Sequence, residues 1–198
     1  MKKIFLIGAG GHANACIDVI ESEKKYNIVG LVSNDKKNAT NYPIICSDNE
    51  IKEKLNKYSF VHIAIGQIKS SNIRKNFFNL LSKDFFLPVI KSPTSYISKN
   101  SQIDIGTIIM HNAIINSNSI IGKNCIINSK ALIEHDVTIG DHCHIATGSI
   151  LNGNVNIGSD TFIGSGVIIH NNITVGKNCI ISAGKIIKSN VSDNTKIK

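Results

Sequence analysis

The stretch INSKALIEHDVTIGDHCHI (Ile127–Ile145) repeats a six-residue unit, and this unit decides the fold. Isoleucine returns every six residues, and a small or β-branched residue stands four positions after each one. A hexapeptide period is typical of a parallel β-helix, a triangular prism in which each hexad forms one short strand and one turn. The aliphatic residues are expected to point into the axis of the prism. The series has sixteen members: Ile97, Ile103, Ile109, Ile115, Ile121, Ile127, Ile133, Ile139, Ile145, Leu151, Ile157, Ile163, Ile169, Val175, Ile181 and Ile187.

The chain before Pro93 has a different pattern, in which short apolar runs alternate with segments of helical spacing. Such alternation predicts a small parallel sheet covered by helices. We therefore expect two domains, an α/β domain over 1–92 and a β-helix over 93–198. The predicted strands are Lys3–Ile7, Asn27–Val32, Phe60–Ile65 and Phe86–Ile90, and the predicted helices are Ala13–Glu23, Asn49–Leu55 and Asn72–Ser82.

Composition excludes several classes of protein. The formal net charge is +8, but the lysines are scattered and no RNA-binding signature occurs, so we expect no nucleic-acid partner. A solvated lysine-rich surface or a phosphate-rich small ligand explains the charge. No apolar run is long enough for a membrane span, and the apolar start that ends at Gly8 is interpreted as a strand. Five cysteines without CxxC spacing favour the reducing cytoplasm, and Cys125, Cys143 and Cys179 occupy inward core positions.

Three hexads complete one coil, so residues eighteen apart stack in columns. One column contains Ser117, His135, Gly153 and Asn171. The glycine would leave a slot directly over the imidazole. Because His135 is flanked by Glu134 and Asp136, a carboxylate is available to fix its tautomer, which favours an acid–base site.

The other histidines of the repeat give weaker evidence for a functional site. His144 shares a column with Ile126 and Phe162 and is expected near a prism corner. The remaining ones, His111, His142 and His170, are interpreted as polar rim residues. The His-x-His spacing of His142 and His144 resembles a pair of metal ligands, but a hexad boundary separates them, so no metal is expected.

The segment Gly8-Ala-Gly-Gly-His-Ala13 follows a predicted strand and opens a predicted helix. Glycines in this position let a phosphate approach the N–H groups of a helix terminus. The segment also fits a relaxed dinucleotide fingerprint, which requires an acid at the end of the second strand. Ser33-Asn34 occupies that place and Asp35 could substitute, so a nucleotide-sugar and NAD both remain open.

The hexapeptide series, Glu134-His135-Asp136 with Ile-Gly-Asp-x-x-His behind it, and Gly-Ala-Gly-Gly-His-Ala together resemble the NeuD/PglD group of bacterial sugar acetyltransferases. The resemblance covers nearly the whole chain. It implies a small Rossmann-like nucleotide-sugar-binding domain, a left-handed parallel β-helix, and a homotrimer with acetyl-CoA lying between neighbouring subunits. It also implies that the nucleotide ligand is a UDP-sugar rather than NAD.

The resemblance assigns roles to individual residues. His135 matches the general base and Asp136 its acidic partner, with Glu134 as the second choice. His144 matches a residue near the acetyl thioester, and Gly153, Ser165 and Ala183 match the acetyl-CoA site. The positions that match the substrate site are Gly8, Gly10, Gly11, His12, Ser33, Asn34 and Gly66.

The activity that the resemblance implies is N-acetylation of a nucleotide-linked amino-deoxy sugar for surface glycan synthesis. The alternatives are O-acetylation of sialic acid, a β-helical metal enzyme of the carbonic anhydrase type, and a non-catalytic nucleotide-sugar binder. The chain departs from the group in three places. Ser33 stands where aspartate is common, and Lys91-Ser92 replaces His-Pro. No Gly-x-Pro-Ala segment precedes Lys198, so we expect either a truncated chain or a more open cofactor pocket.

Overall fold

The computed structural model describes residues 1–35 and 39–198 of the chain. The amino-terminal part is an α/β unit whose four-stranded parallel sheet has the order β3-β2-β1-β4. Its central strand β1 is buried because helices cover the sheet, as expected for parallel strands. The elements are β1 (Lys2–Ile7), α1 (Gly11–Glu23), β2 (Tyr26–Val32), β3 (Ile44–Cys46), a 3₁₀ turn (Asp48–Glu50), α2 (Ile51–Lys54), β4 (Phe60–Ile63) and α3 (Asn72–Leu81).

The predicted closing strand Phe86–Ile90 is wrong. Phe86 makes a single bridge to Phe60, and the chain then passes Pro88, which has no N–H group to continue a ladder. The next strand, β5 (Ile90–Lys91), pairs with Ile108 and Ile109 and therefore belongs to the first coil of the β-helix. Strand β3 was not predicted because it has only three residues.

The remainder is a parallel β-helix, as the hexapeptide period predicts, and it is left-handed, as the family resemblance implies. From β5 to β21 (Ile186–Ile187) each strand pairs in register with the strand eighteen residues away, for example Ile126 with His144 and His144 with Phe162. The spacing of the last pair is shorter, since Ile180 pairs with Lys196 sixteen residues on. The strands are β6 (Tyr96–Ile97), β7 (Gln102–Ile103), β8 (Ile108–Ile109), β9 (Ile114–Ile115), β10 (Ile120–Ile121), β11 (Ile126–Ile127), β12 (Leu132–Ile133), β13 (Thr138–Ile139), β14 (His144–Ile145), β15 (Ile150–Leu151), β16 (Asn156–Ile157), β17 (Phe162–Ile163), β18 (Ile168–Ile169), β19 (Thr174–Val175), β20 (Ile180–Ile181), β21 (Ile186–Ile187) and β22 (Lys196–Ile197).

The strands form three faces of a prism. The covered face (β5, β8, β11, β14, β17, β20 and β22) packs against the α/β unit, because Ile90, Ile108 and Ile126 share a core with helix α1. The apolar face consists of β6, β9, β12, β15, β18 and β21. The polar face consists of β7, β10, β13, β16 and β19.

The interior of the prism is filled by the stacked aliphatic residues and by small residues that stabilise the turns. The predicted core cysteines Cys125, Cys143 and Cys179 are fully buried and free. Thr107 and Thr161 occupy the same column and donate hydrogen bonds to turn carbonyls of the following coil. An inward thiol or hydroxyl therefore satisfies a backbone acceptor that apolar packing alone would leave buried and unpaired. None of the described helices is long and apolar enough to cross a bilayer.

Candidate active site

His135 and Asp136 form a hydrogen-bonded pair at the corner between the apolar and polar faces. The distance from His135 Nδ1 to Asp136 Oδ2 is 2.7 Å, and the two side chains are 60% and 49% exposed. Because a carboxylate only accepts, Nδ1 carries the proton and the neutral ring keeps a lone pair on Nε2. The hydrogen bond from His135, followed by one from Asn118, lowers the pKa of Asp136. The pair therefore fixes the tautomer that a general base requires, with the lone pair of the neutral ring on Nε2.

The coil before this turn holds the pair in place. Asn118 Nδ2 donates to Asp136 Oδ1 at 3.1 Å, which leaves Oδ2 facing His135. Buried Ser119 donates to the backbone carbonyl of Glu134 at 2.7 Å. The carboxylate of Glu134 accepts from Asn116 at 2.9 Å, so the structure places Asp136 beside the imidazole and Glu134 beside an amide. The eighteen-residue stacking places Asn116 beside Glu134 and Asn118 beside Asp136, but the sequence alone assigned no role to Asn116, Asn118 or Ser119.

Gly153 lies over the imidazole, as the column predicts. A methyl carbon at Gly153 would lie 2.6 Å from Cε1 and 2.7 Å from Nε2 of His135. The ring itself therefore occupies the space that the missing side chain leaves. Since Gly153 has an ordinary backbone conformation, the constraint at this position comes from the imidazole rather than from φ.

His144 lies within the covered face rather than near a corner, which corrects the sequence prediction. It is buried under the α/β unit, where Nδ1 donates to the backbone carbonyl of Gln67 at 2.6 Å. Nε2 then accepts from Asn128 at 3.2 Å, and the ring lies edge-on to Phe162. Burial lowers the pKa of His144 to about 4, so the ring is neutral at pH 7. Its proximity to an acetyl thioester stays a prediction.

Two of the predicted rim histidines lie instead at the contact with the α/β unit. His142 is buried, lies edge-on to Phe78 and makes a 3.0 Å hydrogen bond to Asn124. His111 connects Ser92 at 2.7 Å to Asp18 at 2.8 Å. The third, His170, is exposed as predicted. Sequence periodicity could not reveal these contacts, because they depend on where a second domain packs.

A cleft of about 760 Å³ opens at the carboxyl ends of the strands of the α/β unit. Its floor contains the glycine-rich segment at the start of α1, together with Ala64–Gly66. The N–H groups at the start of a helix lack carbonyl partners one turn back, although that of Ala13 donates to Gly10 O at 2.9 Å. Gly8 has φ +109°, and a side chain there would collide with Ile65, so the turn requires glycine. Six predicted substrate residues line the cleft: Gly8, Gly10, Gly11, His12, Ser33 and Gly66.

The seventh, Asn34, does not line the cleft, although Asp35 does. The Asn34 amide oxygen accepts from the backbone N–H of Asp48 at 3.0 Å, so it orders the loop that carries another lining residue. Ser33 Oγ accepts from the Asp35 N–H at 3.1 Å. The opposite wall is apolar and contains Ile68, Ile73 and Phe77, none of which the sequence reasoning had identified.

Below the cleft lies a group of buried polar side chains without acidic partners. His12 Nε2 and both ring nitrogens of His62 are buried and have no hydrogen-bond partner among the described residues. Burial, followed by the charge of Arg74, lowers the pKa of each histidine to about 3. The two rings are therefore neutral at pH 7.

The corner between the covered and apolar faces carries three stacked turns of small residues. They are Thr147-Gly148, Ser165-Gly166 and Ala183-Gly184. The glycines have φ values of +67°, +66° and +72°, and there is open space on the side where each would carry a Cβ atom. Predicted residues Ser165 and Ala183 are exposed here, so backbone groups along this edge are accessible to an extended ligand.

Among residues 1–35 and 39–198, no three side chains of the histidine, cysteine, aspartate or glutamate type converge as a metal site. His142 and His144 both form hydrogen bonds to separate partners within the chain.

Comparison with known proteins identifies both parts of the chain. Residues 3–81 match the PglD N-terminal domain, and residues 118–153 and 154–189 match the bacterial transferase hexapeptide (six repeats). No curated protein sequence matches significantly.

Solved structures match over nearly the full length. The acetyltransferase domain of PglB from Neisseria gonorrhoeae has 26% identity and a TM-score of 0.93, covering 99% of this chain and 96% of that chain. Its complex with acetyl coenzyme A has 25% identity and a TM-score of 0.92, covering 98% and 95%. PerB from Caulobacter crescentus, in complex with CoA and GDP-perosamine, has 25% identity and a TM-score of 0.89, covering 98% and 92%. The chain therefore combines a PglD N-terminal domain with transferase hexapeptide repeats, and over nearly its full length it is similar to the PglB acetyltransferase domain and to PerB.

Proposed function

We propose that the protein transfers an acetyl group from acetyl-CoA to the amino group of a nucleotide-linked amino-deoxy sugar, for surface glycan synthesis. The observation that carries this proposal is the His135–Asp136 pair, which leaves an exposed basic Nε2 on a β-helix. The same chain contains a cleft with a glycine-rich helix terminus, which suits a diphosphate. The relative that contains both CoA and GDP-perosamine supports the pairing of these two substrates.

The reaction is a direct transfer. The amine nitrogen attacks the thioester carbonyl carbon while His135 Nε2 takes a proton from that nitrogen, and the C–S bond then breaks to release CoA. The proton held by His135 passes to the CoA thiolate or to solvent. Asp136 stays ionised and stabilises the imidazolium through the 2.7 Å hydrogen bond. No covalent enzyme intermediate is needed, so the buried cysteines have no role in the chemistry.

Acetyl-CoA fits the corner of stacked small residues. Ser165 and Ala183 are exposed there, and the adjacent turn glycines leave space beside the backbone. A long, flexible pantetheine chain suits such an edge, because small side chains let it approach the backbone N–H and C=O groups.

The proposed assembly is a homotrimer, because within one chain the cleft of the α/β unit and His135 lie apart. The α/β unit packs on the covered face, whereas His135 lies at the opposite corner of the prism. A sugar held in the cleft can therefore reach His135 only on another copy of the chain. The apolar face supports this assembly, since the outward residue of every strand is apolar: Tyr96, Ile114, Leu132, Ile150, Ile168 and Ile186.

The test is release of the CoA thiol from acetyl-CoA in the presence of single acceptors. The acceptors are UDP-, GDP- and dTDP-linked amino-deoxyhexoses and free or CMP-linked sialic acid. His135→Ala is compared with His170→Ala, which removes an exposed imidazole two coils further along the same corner of the β-helix. We expect turnover of a UDP-linked amino sugar, a loss of at least about 10²-fold in His135→Ala, and wild-type activity in His170→Ala.

Other outcomes would contradict specific parts of the proposal. Turnover of sialic acid alone would replace N-acetylation by O-acetylation. Turnover that His135→Ala retains would remove His135 from the role of base. Binding of nucleotide sugars with no transfer to any acceptor would identify a binding protein instead of an enzyme.

A further inference from the structure

Arg74, on helix α3, is a buried cation with no carboxylate partner. Its side chain is 1% exposed, and no acidic group forms an ion pair with it among the described residues. All four of its hydrogen bonds go to amide or carbonyl oxygens: Ile63 O and Ile65 O at 2.7 Å, Asn124 O at 3.2 Å and Asn124 Oδ1 at 2.9 Å. Burial lowers the pKa of Arg74 to about 10, so the guanidinium is still charged at pH 7. A buried charge without a counter-ion is costly, so a negative group that binds near Arg74 is stabilised by it.

The position of Arg74 shows where such a negative group would bind. The guanidinium donates to the carbonyls on either side of Ala64, and Ala64 and Ile65 both line the cleft. Arg74 is thus separated from the floor of the cleft by a single layer of backbone. The charge of Arg74 also lowers the pKa of His12, which lies beside Gly66 and lines the same floor of the cleft.

The cleft offers no other fixed cation to a diphosphate among its described lining residues. Two acidic residues, Asp35 and Asp48, line it instead, and His12 is neutral because of burial. The terminus of helix α1 supplies N–H donors and a partial positive charge, which falls off within one turn. A full positive charge behind the floor therefore adds the long-range attraction that these donors lack.

We propose that Arg74 is the electrostatic counter-charge for the diphosphate of the nucleotide-sugar, acting through the backbone of Ala64 and Ile65 without touching the ligand. Arg74 is a positioning residue. It also holds the segment 63–65 at the floor of the cleft against the β-helix, because it bonds to both that segment and Asn124. This inference rests on the proposed function, because it requires a nucleotide diphosphate in the cleft.

The experiment separates charge from structure by changing the charge of the ligand. Affinities for UDP and for uridine are measured by calorimetry and ligand-detected NMR with wild type, Arg74→Lys, Arg74→Gln and Arg74→Met. Lys75→Met is the matched control, since it removes the neighbouring cation of α3, whose ion pair to Asp160 lies at the same domain contact. Helical content and melting temperature are recorded for every variant.

We expect Arg74→Met and Arg74→Gln to weaken UDP binding at least about tenfold more than uridine binding, since only UDP carries the diphosphate charge. Arg74→Lys keeps the charge and should restore most of the UDP affinity, and Lys75→Met should leave both affinities unchanged. Equal losses for UDP and uridine would mean that Arg74 only supports the loop, and unchanged UDP binding would mean that its charge is irrelevant. Either result overturns the inference while the proposed function stands.

If the neutral variants do not fold, the wild type still provides a test. The gain in affinity from uridine to UMP to UDP is measured at about 0.1 M and 0.5 M salt. A buried charge is screened less than surface charges, so the gain should persist at high salt. Loss of the gain would overturn the inference. A wild type that binds no nucleotide diphosphate, GDP and dTDP included, would overturn the proposed substrate and this inference together.

Discussion

Gly153→Ala is expected to impair catalysis without unfolding the β-helix. The new methyl group would lie 2.6 Å from Cε1 and 2.7 Å from Nε2 of His135, against an ordinary carbon contact of roughly 3.5 Å or more. The conflict is relieved by a shift of the imidazole of about 1 Å, since His135 is 60% exposed and free to rotate away. Such a shift breaks or lengthens the hydrogen bond to Asp136 and moves Nε2 from the substrate.

A misplacement of about 1 Å can cost roughly 10²-fold in rate, so we expect kcat to fall by about that factor. KM for the nucleotide-sugar should change little, because the cleft belongs to the α/β unit. Stability should stay within about 1 kcal/mol, because Gly153 does not have a left-handed backbone that alanine would strain. Steady-state CoA release and thermal unfolding measure the two effects separately.

The decisive control is the double mutant. In the His135→Ala background the added methyl group has no ring to displace, so Gly153→Ala should cause little further loss of kcat. The two losses should therefore be strongly non-additive. Additive losses, or a Gly153→Ala enzyme with wild-type kcat, would refute the argument that the glycine serves the position of the imidazole.

Three further predictions concern other parts of the structure. Asn118→Ala removes the 3.1 Å hydrogen bond to Asp136, which should lower kcat several-fold and move its pH profile, and an unchanged profile would show that Asp136 is held without it. Because burial lowers the pKa of His62 from 6.5 to about 3, the unfolded chain binds a proton near pH 5 that the folded chain excludes. The free energy of unfolding should therefore fall as pH drops below 6.5, by about 2 kcal/mol at pH 5 from His62, and His62→Phe should reduce the fall in denaturant titrations. Ile150→Lys places a charge on the apolar face and should yield monomers without transferase activity in light scattering and CoA-release assays, whereas active monomers would contradict the shared site.

Two of these variants, Asn118→Ala and Ile150→Lys, have a matched control. Asn154→Ala removes an asparagine with the same left-handed backbone, φ +59° against +62° for Asn118, that bonds to Asn172 instead of Asp136. Its pH profile should match the wild type. Asn156→Lys adds the same charge to the polar face and should leave the oligomer intact.

The hexapeptide period by itself determined the β-helix and the stack that contains His135 and Gly153. In a hexapeptide repeat the position within the hexad determines whether a side chain points into the prism or outward. Three hexads per coil then determine which residues are neighbours in successive coils. The glycine-rich turn before α1 was likewise readable, because Gly8 needs a conformation that other residues avoid.

Only the tertiary structure decided what lies on the outside of the prism. His142, His144 and Arg74 are buried because the α/β unit packs on one face and one corner of the β-helix, and no local pattern encodes that contact. Periodicity places a side chain on a surface, whereas burial, tautomer and charge environment depend on what another segment brings to that surface. The tertiary structure also decided that Asp136 rather than Glu134 contacts His135. The amide of Asn118 orients Asp136 and the amide of Asn116 binds Glu134, and both amides lie one coil away.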